Sequence, residues 1–352
     1  MGLIHLPQSK WGSGTGRQVI LKGDFDKIEQ GLLESFEMAG ALALEYVDSA
    51  TLQVQATPDC LARLMMCGFP SPLHPGQWLD AGLSDGRYRE NAAAVTLNFP
   101  TAGSLWGTEK ASQWYAVYAL AGATDTIFTL KAMPVLRVAS QSGQTISLRN
   151  AGNTAGIGYG WAANELVNGQ ILLLSGASRG LVRAVTGHNT DNGTGGAITY
   201  GGGVLSLAQG DWFVVLPPNT NFRYLGMVFN DADGNLPPFY RESGRTTWRS
   251  PRQLVSGAIN GYTLTDLALV APPTARGLLG LAQAASGYDL KLAISYDGSS
   301  PAFLLHCAPP GADFQGARGA LPFDVRVLEG HKLYFNNDNT ANQTVKITGW
   351  RE

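Results

Sequence analysis

The sequence predicts a mainly β protein: an N-terminal arm and one short helix, followed by β-sandwich or jelly-roll-like domains. Three observations carry that expectation. The chain of 352 residues holds 44 glycines, well above the roughly 7% of average usage. Glycine reaches positive φ without a Cβ clash and so gathers in tight turns. Between the turn signals, apolar residues alternate with a period near two, the pattern of strands with one buried face. A helical period appears once, near the start, and nowhere else over a comparable length.

Residues 1–40 form the first unit. The stretch through Gln18 is rich in glycine, serine and polar residues and reads as an extended arm. A helix follows over about 24–38. Asp26 and Glu29 have the spacing of a capping box, in which each side chain satisfies a free N–H at the helix start. Ile28, Leu32, Leu33 and Phe36 fall on one face, and Gly40 ends the helix.

Residues 41–100 read as a small β domain. Segments 42–47 and 51–56 alternate and are split by Asp48-Ser49, and 94–99 is a further strand. Residues 101–248 form a central β-sandwich-like domain, with strands at 114–120, 126–130, 135–138, 170–174, 211–216 and 221–229. Pro217-Pro218 closes one of these, because proline cannot donate to a central ladder. The polar, arginine-bearing stretch 241–252 then leads into residues 249–352, a C-terminal β-sandwich domain with strands near 263–270, 279–283, 290–295, 302–306, 323–327, 332–335 and 343–348.

Composition excludes several function classes. Charged residues make up 15% of the chain, and the net charge is −2. No global field therefore recruits nucleic acid or an anionic membrane. A surface so sparse in charge is either covered by partner chains or solvated by Ser, Thr, Asn and Gly. No apolar run approaches the ~18 residues of a membrane-spanning helix, and residues 1–10 lack the basic and apolar regions of a secretory signal. Cys60, Cys67 and Cys307 have neither a disulfide nor a zinc pattern and read as small buried apolar side chains.

The catalytic inventory is empty. The five histidines, His5, His74, His188, His306 and His331, are scattered, so no His-based metal motif forms. There is no nucleophile elbow and no Walker loop, and the glycines of 152–160 lack the strand-then-helix frame of a phosphate loop. Among 27 acidic residues, no pair is singled out for glycoside hydrolysis. The expectation is a non-enzyme with no cofactor.

Two segments remain as candidates. Asp231, Asp233, Asn235 and Glu242 have the spacing of positions 1, 3, 5 and 12 of a calcium loop. Leu236 and Pro237 depart from that loop, however, and an Asp-Gly-Asn hairpin turn explains the same residues. The loop 188–196, with His188, Asn189, Asp191 and Asn192, is polar and exposed, suited either to binding or to a plain hairpin tip. Trp106, Trp114, Tyr115 and Tyr118 have the composition of a sugar-stacking platform but read as core.

The stretch 221–240, NFRYLGMVFNDADGNLPPFY, resembles a segment common in tail-associated virion proteins of bacteriophages and prophages. Residues 114–119, 210–218 and 82–89 are similar to its usual companions. The resemblance implies a structural component of a phage tail, of the fibre, baseplate or tail-tip type. It implies a homo-oligomer, a trimer or another symmetric assembly, located in the virion tail and made in the bacterial host cytoplasm. Its partners would be other virion tail proteins, docked through residues 1–40, and host cell-surface glycan. The family pattern carries no catalytic residues. The alternatives are a receptor-binding protein or a glycan depolymerase acting on host surface polysaccharide.

Overall fold

The structure, a computed structural model, describes residues 44–352 apart from 56–61, 74–76, 80–84, 100, 102, 219, 243, 260, 285–289, 308–319, 328–330 and 338–342. The expected arm and helix lie outside the described residues. Within them the regular structure is all strand, and the ladders run antiparallel. The mainly β class stands.

Seven short strands make the first unit: β1 (Leu44–Tyr46), β2 (Thr51–Val54), β3 (Ala62–Met65), β4 (Phe69–Pro70), β5 (Trp78–Leu79), β6 (Tyr88–Asn91) and β7 (Val95–Asn98). β1, β2 and β7 form one sheet, while β3 pairs with β6 and β4 with β5. The register places Leu44 opposite Val54 and Leu52 opposite Leu97. These four side chains are buried, as period-two alternation requires of the inward face. The turn joining β1 to β2 is closed by Asp48, whose Oδ1 accepts from the Ala50 N–H at 2.9 Å.

The central strands are β8 (Gln113–Ala121), β9 (Thr129–Pro134), β10 (Leu136–Ser142), β11 (Thr145–Arg149), β12 (Gln170–Leu173), β13 (Val182–His188), β14 (Ala197–Tyr200), β15 (Trp212–Leu216) and β16 (Asn221–Asn230). Six of them close into a barrel in the order β10-β11-β14-β13-β12-β15, and β16-β8-β9 form a separate sheet. The sandwich-like reading of this stretch thus resolves into a barrel with a sheet beside it. Closure leaves no free edge, because β15 pairs with β10 on one side and with β12 on the other. Every residue of β15 is buried, so it reads as a continuous apolar run.

β8 is likewise buried on both faces. Tyr115 meets Phe99 edge-on at 5.1 Å, while Tyr118 packs on Phe69, Trp106 and Phe222. Trp106, Trp114, Tyr115 and Tyr118 are core side chains.

The C-terminal strands are β17 (Phe239–Glu242), β18 (Arg245–Ser256), β19 (Thr263–Asp266), β20 (Gly277–Ala284), β21 (Leu290–Ser295), β22 (Phe303–Cys307), β23 (Ala320–Arg326), β24 (Lys332–Asn336) and β25 (Gln343–Arg351). They form a five-stranded sheet, β17-β18-β25-β20-β23, and a four-stranded sheet, β19-β24-β21-β22. The first of these begins before residue 249, since the β17–β18 hairpin belongs to it. Pro251 is accommodated where the β18–β25 register shifts, between Thr247 and Arg252, so no ladder bond is lost to its missing N–H.

The three units share one continuous buried cluster. At its centre Trp114 lies 6.3 Å from Trp248 and 5.5 Å from Trp350, and Trp248 lies 5.0 Å from Trp350, centroid to centroid. The indole N–H of Trp114 donates to the Ala268 carbonyl at 2.6 Å, tying β8 to the C-terminal unit. Arg137 of the barrel reaches Asp266 of β19 at 2.8 Å and covers the Trp212 ring.

Candidate functional site

The two segments singled out by sequence are both held by local hydrogen bonds. Asp231 Oδ1 accepts from the N–H of Asp233 at 3.0 Å and of Asn235 at 2.9 Å. The Asp231 N–H itself donates to the Asn235 carbonyl at 2.9 Å. This is a side-chain-stabilised turn after β16, with Gly234 at φ 78°. Glu242 lies at the end of β17, opposite Arg245. Among the described residues no group of three or more His, Cys, Asp or Glu side chains is placed to hold a metal. The Asp231 carboxylate therefore serves the turn.

The loop from His188 to Gly196 joins β13 to β14 and is exposed over 190–195. It is also tied down. His188 Nε2 accepts from the Leu166 N–H at 3.3 Å, while Nδ1 lies 3.0 Å from the Asn189 carbonyl, a pair of contacts that fits the Nδ1–H tautomer. Asn189 Oδ1 accepts from the Ala197 N–H at 3.1 Å. The carbonyls of Asp191 and Gly193 accept from Gly160 at 2.8 Å and Gly158 at 2.9 Å. Lys110 Nζ donates to the Asn192 carbonyl and to its Oδ1, both at 2.9 Å. Asp191 Oδ1 accepts from the Gly193 N–H. Each polar side chain that made the loop a binding candidate has a structural task.

A third place, which sequence reasoning missed, is a partly open cavity of about 150 Å³ where all three units meet. The first unit contributes Phe69 and the segment after β4, the barrel contributes Arg179, β16 contributes Tyr224, and the C-terminal unit contributes Arg276, His331 and Glu352. Glu352 is deeply engaged: it pairs with Arg241, accepts from Tyr224 Oη at 3.0 Å and accepts from Thr274 Oγ1 at 2.6 Å. Burial works against the charge of Arg241, but the Glu352 carboxylate more than offsets it, and its pKa is raised. Burial pushes the Tyr224 hydroxyl well above its ordinary range.

Arg179 donates to the Pro72 carbonyl at 2.7 Å and Arg276 to the Ser71 carbonyl at 3.1 Å. Burial, and next the charge of Arg179, lower the pKa of Arg276. His331 is 3% exposed, and burial pushes its pKa down to about 4 against the opposing pull of Asp266. The imidazole is therefore neutral at pH 7 and lies edge-on to Trp212 at 5.9 Å.

No protein-family model, curated protein or solved structure matches the chain. The site is read from its own chemistry.

Arg179 and Arg276 are far apart in sequence, one on the turn between β12 and β13 and the other just before β20. The only sequence signals nearby are the Pro272-Pro273 step and the proline-rich 70–75, which mark chain reversals without saying what they enclose. Cys67, read as a buried apolar side chain, is half-buried; Cys60 and the side chain of Cys307 lie outside what the structure describes.

Proposed function

We propose that this chain is a structural component of a phage tail, of the fibre, baseplate or tail-tip type. It assembles as a homo-oligomer, a trimer, docks to other virion proteins through residues 1–40, and contributes to recognition of host-surface glycan. The observation that carries this reading is the single core running through three β units, with Trp114, Trp248 and Trp350 at the junction. Domains joined by flexible linkers move relative to one another by default, whereas a large apolar junction suppresses that motion. Such a block suits a part that transmits load and positions its neighbours.

Two further features support assembly. The surface is sparse in charge, at 15% charged residues overall. β22 stands at the end of its sheet and carries Leu304, 67% exposed. A terminal strand with an exposed apolar side chain is a template for pairing with another chain.

The test is the native mass of the purified full chain, with and without residues 1–40. The expected result is a trimer for both forms, three times 37.4 kDa for the full chain, with binding to virion partners lost on truncation. A full chain that stays monomeric at micromolar concentration contradicts the proposal. Turnover of host polysaccharide, abolished by one Asp or Glu substitution, would replace it with the depolymerase reading.

A further inference from the structure

Two arginines, Arg179 and Arg276, line the cavity beside one carboxylate, that of Glu352, whose pull on Arg276 only partly offsets the repulsion from Arg179. Arg179 arrives on the tight turn after β12, where its N–H donates to the Gly176 carbonyl at 3.0 Å. Arg276 immediately precedes β20, and its N–H donates to the Arg351 carbonyl at 2.7 Å. Their guanidinium groups donate to consecutive carbonyls, Pro72 and Ser71, which brings two like charges together. Among the described residues neither guanidinium forms an ion pair. Glu352 is committed to Arg241, Tyr224 and Thr274. Arg179 Nε is buried with no hydrogen-bond partner among the described residues.

Adjacent cations repel, and the charge of Arg179 contributes to lowering the pKa of Arg276. An anion between them removes that repulsion, and planar guanidinium donors suit a carboxylate better than a point charge would. The rest of the lining includes the rings of Phe69 and Tyr224, tilted against each other at 4.4 Å, with Leu174 and Val327. A cavity of roughly 150 Å³ accepts a benzene-sized molecule.

We propose that this cavity binds a ring-sized carboxylate, of the kind an acidic sugar residue presents, with its carboxylate on Arg179 and Arg276 and its ring against Phe69 and Tyr224. The site stands on its own geometry; only the source of the ligand, a host-surface glycan, rests on the function proposed above.

The test is calorimetric titration of the full chain with glucuronate, benzoate, glucose and inorganic phosphate, each at up to roughly 10 mM. Both carboxylates should bind with a dissociation constant in the millimolar range or tighter, and glucose should not bind. R179Q and R276Q should each weaken glucuronate roughly tenfold or more. Each substitution also removes a guanidinium hydrogen bond, to the Pro72 or the Ser71 carbonyl, so both variants should first show the circular dichroism of the wild type. Binding of phosphate but of neither carboxylate overturns the proposal. So does a wild type silent to both carboxylates. Benzoate binding without glucuronate overturns the sugar source. None of these results changes the oligomeric mass, so failure of the site and failure of the assembly reading are separable.

Discussion

Gly226 shows how one residue sets the junction. It lies at φ 142°, a conformation that side-chain-bearing residues rarely adopt, where the β16–β8 register shifts between Tyr224 and Gly226. The Arg241 guanidinium occupies the space a Cβ would take. G226A therefore combines backbone strain with displacement of Arg241 from Glu352. Breaking a buried ion pair by disturbing one partner costs about 3–5 kcal/mol, and strain adds to it. The denaturant midpoint should fall accordingly with the slope unchanged; a shift below roughly 1 kcal/mol would show that the pair does not depend on this glycine. His331 gives a pH signature. Its ordinary pKa is 6.5, and burial lowers it to about 4 in the fold. Between these values the unfolded chain holds the proton and the folded chain does not. The contribution is fully present above about 6.5 and is lost as pH falls through about 4, on the order of 3 kcal/mol in all. His331 has φ 56°, and asparagine tolerates such a conformation, so H331N should keep the fold and flatten this slope. Denaturant titrations at neutral and acid pH measure it, and an unaltered slope in H331N would assign the acid sensitivity elsewhere.

At the scale of elements, the loop between β13 and β14 is exposed but anchored. Hydrogen exchange should find the amides of Gly158, Gly160 and Ala197 protected, since they donate to Gly193, Asp191 and Asn189. Rapid exchange at all three would restore the picture of a free binding loop. Much at this scale was legible in the sequence. β1, β2, β8, β15, β16 and β25 follow from period-two alternation or from continuous apolar runs between turn residues. The Asp231 turn follows from its Asp-Gly-Asn chemistry. Barrel closure did not follow. Alternation tells which side chains share a face, not which strand lies alongside, and β15 reaches β10 across the whole barrel sequence. The boundary near residue 248 was drawn through a polar, arginine-bearing stretch. Arg249 and Arg252 in fact lie on β18, covering Tyr240 and Trp248 respectively. Arginine stems that cover aromatic rings look like linker composition when only charge is counted.

For the whole molecule, dense turn signals pointed to many short strands, and the described residues form three β units around one buried core. The cavity between those units was illegible because its walls come from six separate stretches of chain, each unremarkable alone. The central claim is that this chain is built into a virion tail. Antibody labelling of purified particles from the strain that encodes it, viewed by electron microscopy, tests that claim most directly. The account predicts label confined to the tail and the chain present in those particles by mass spectrometry. Particles complete in their other proteins but lacking this chain would contradict it.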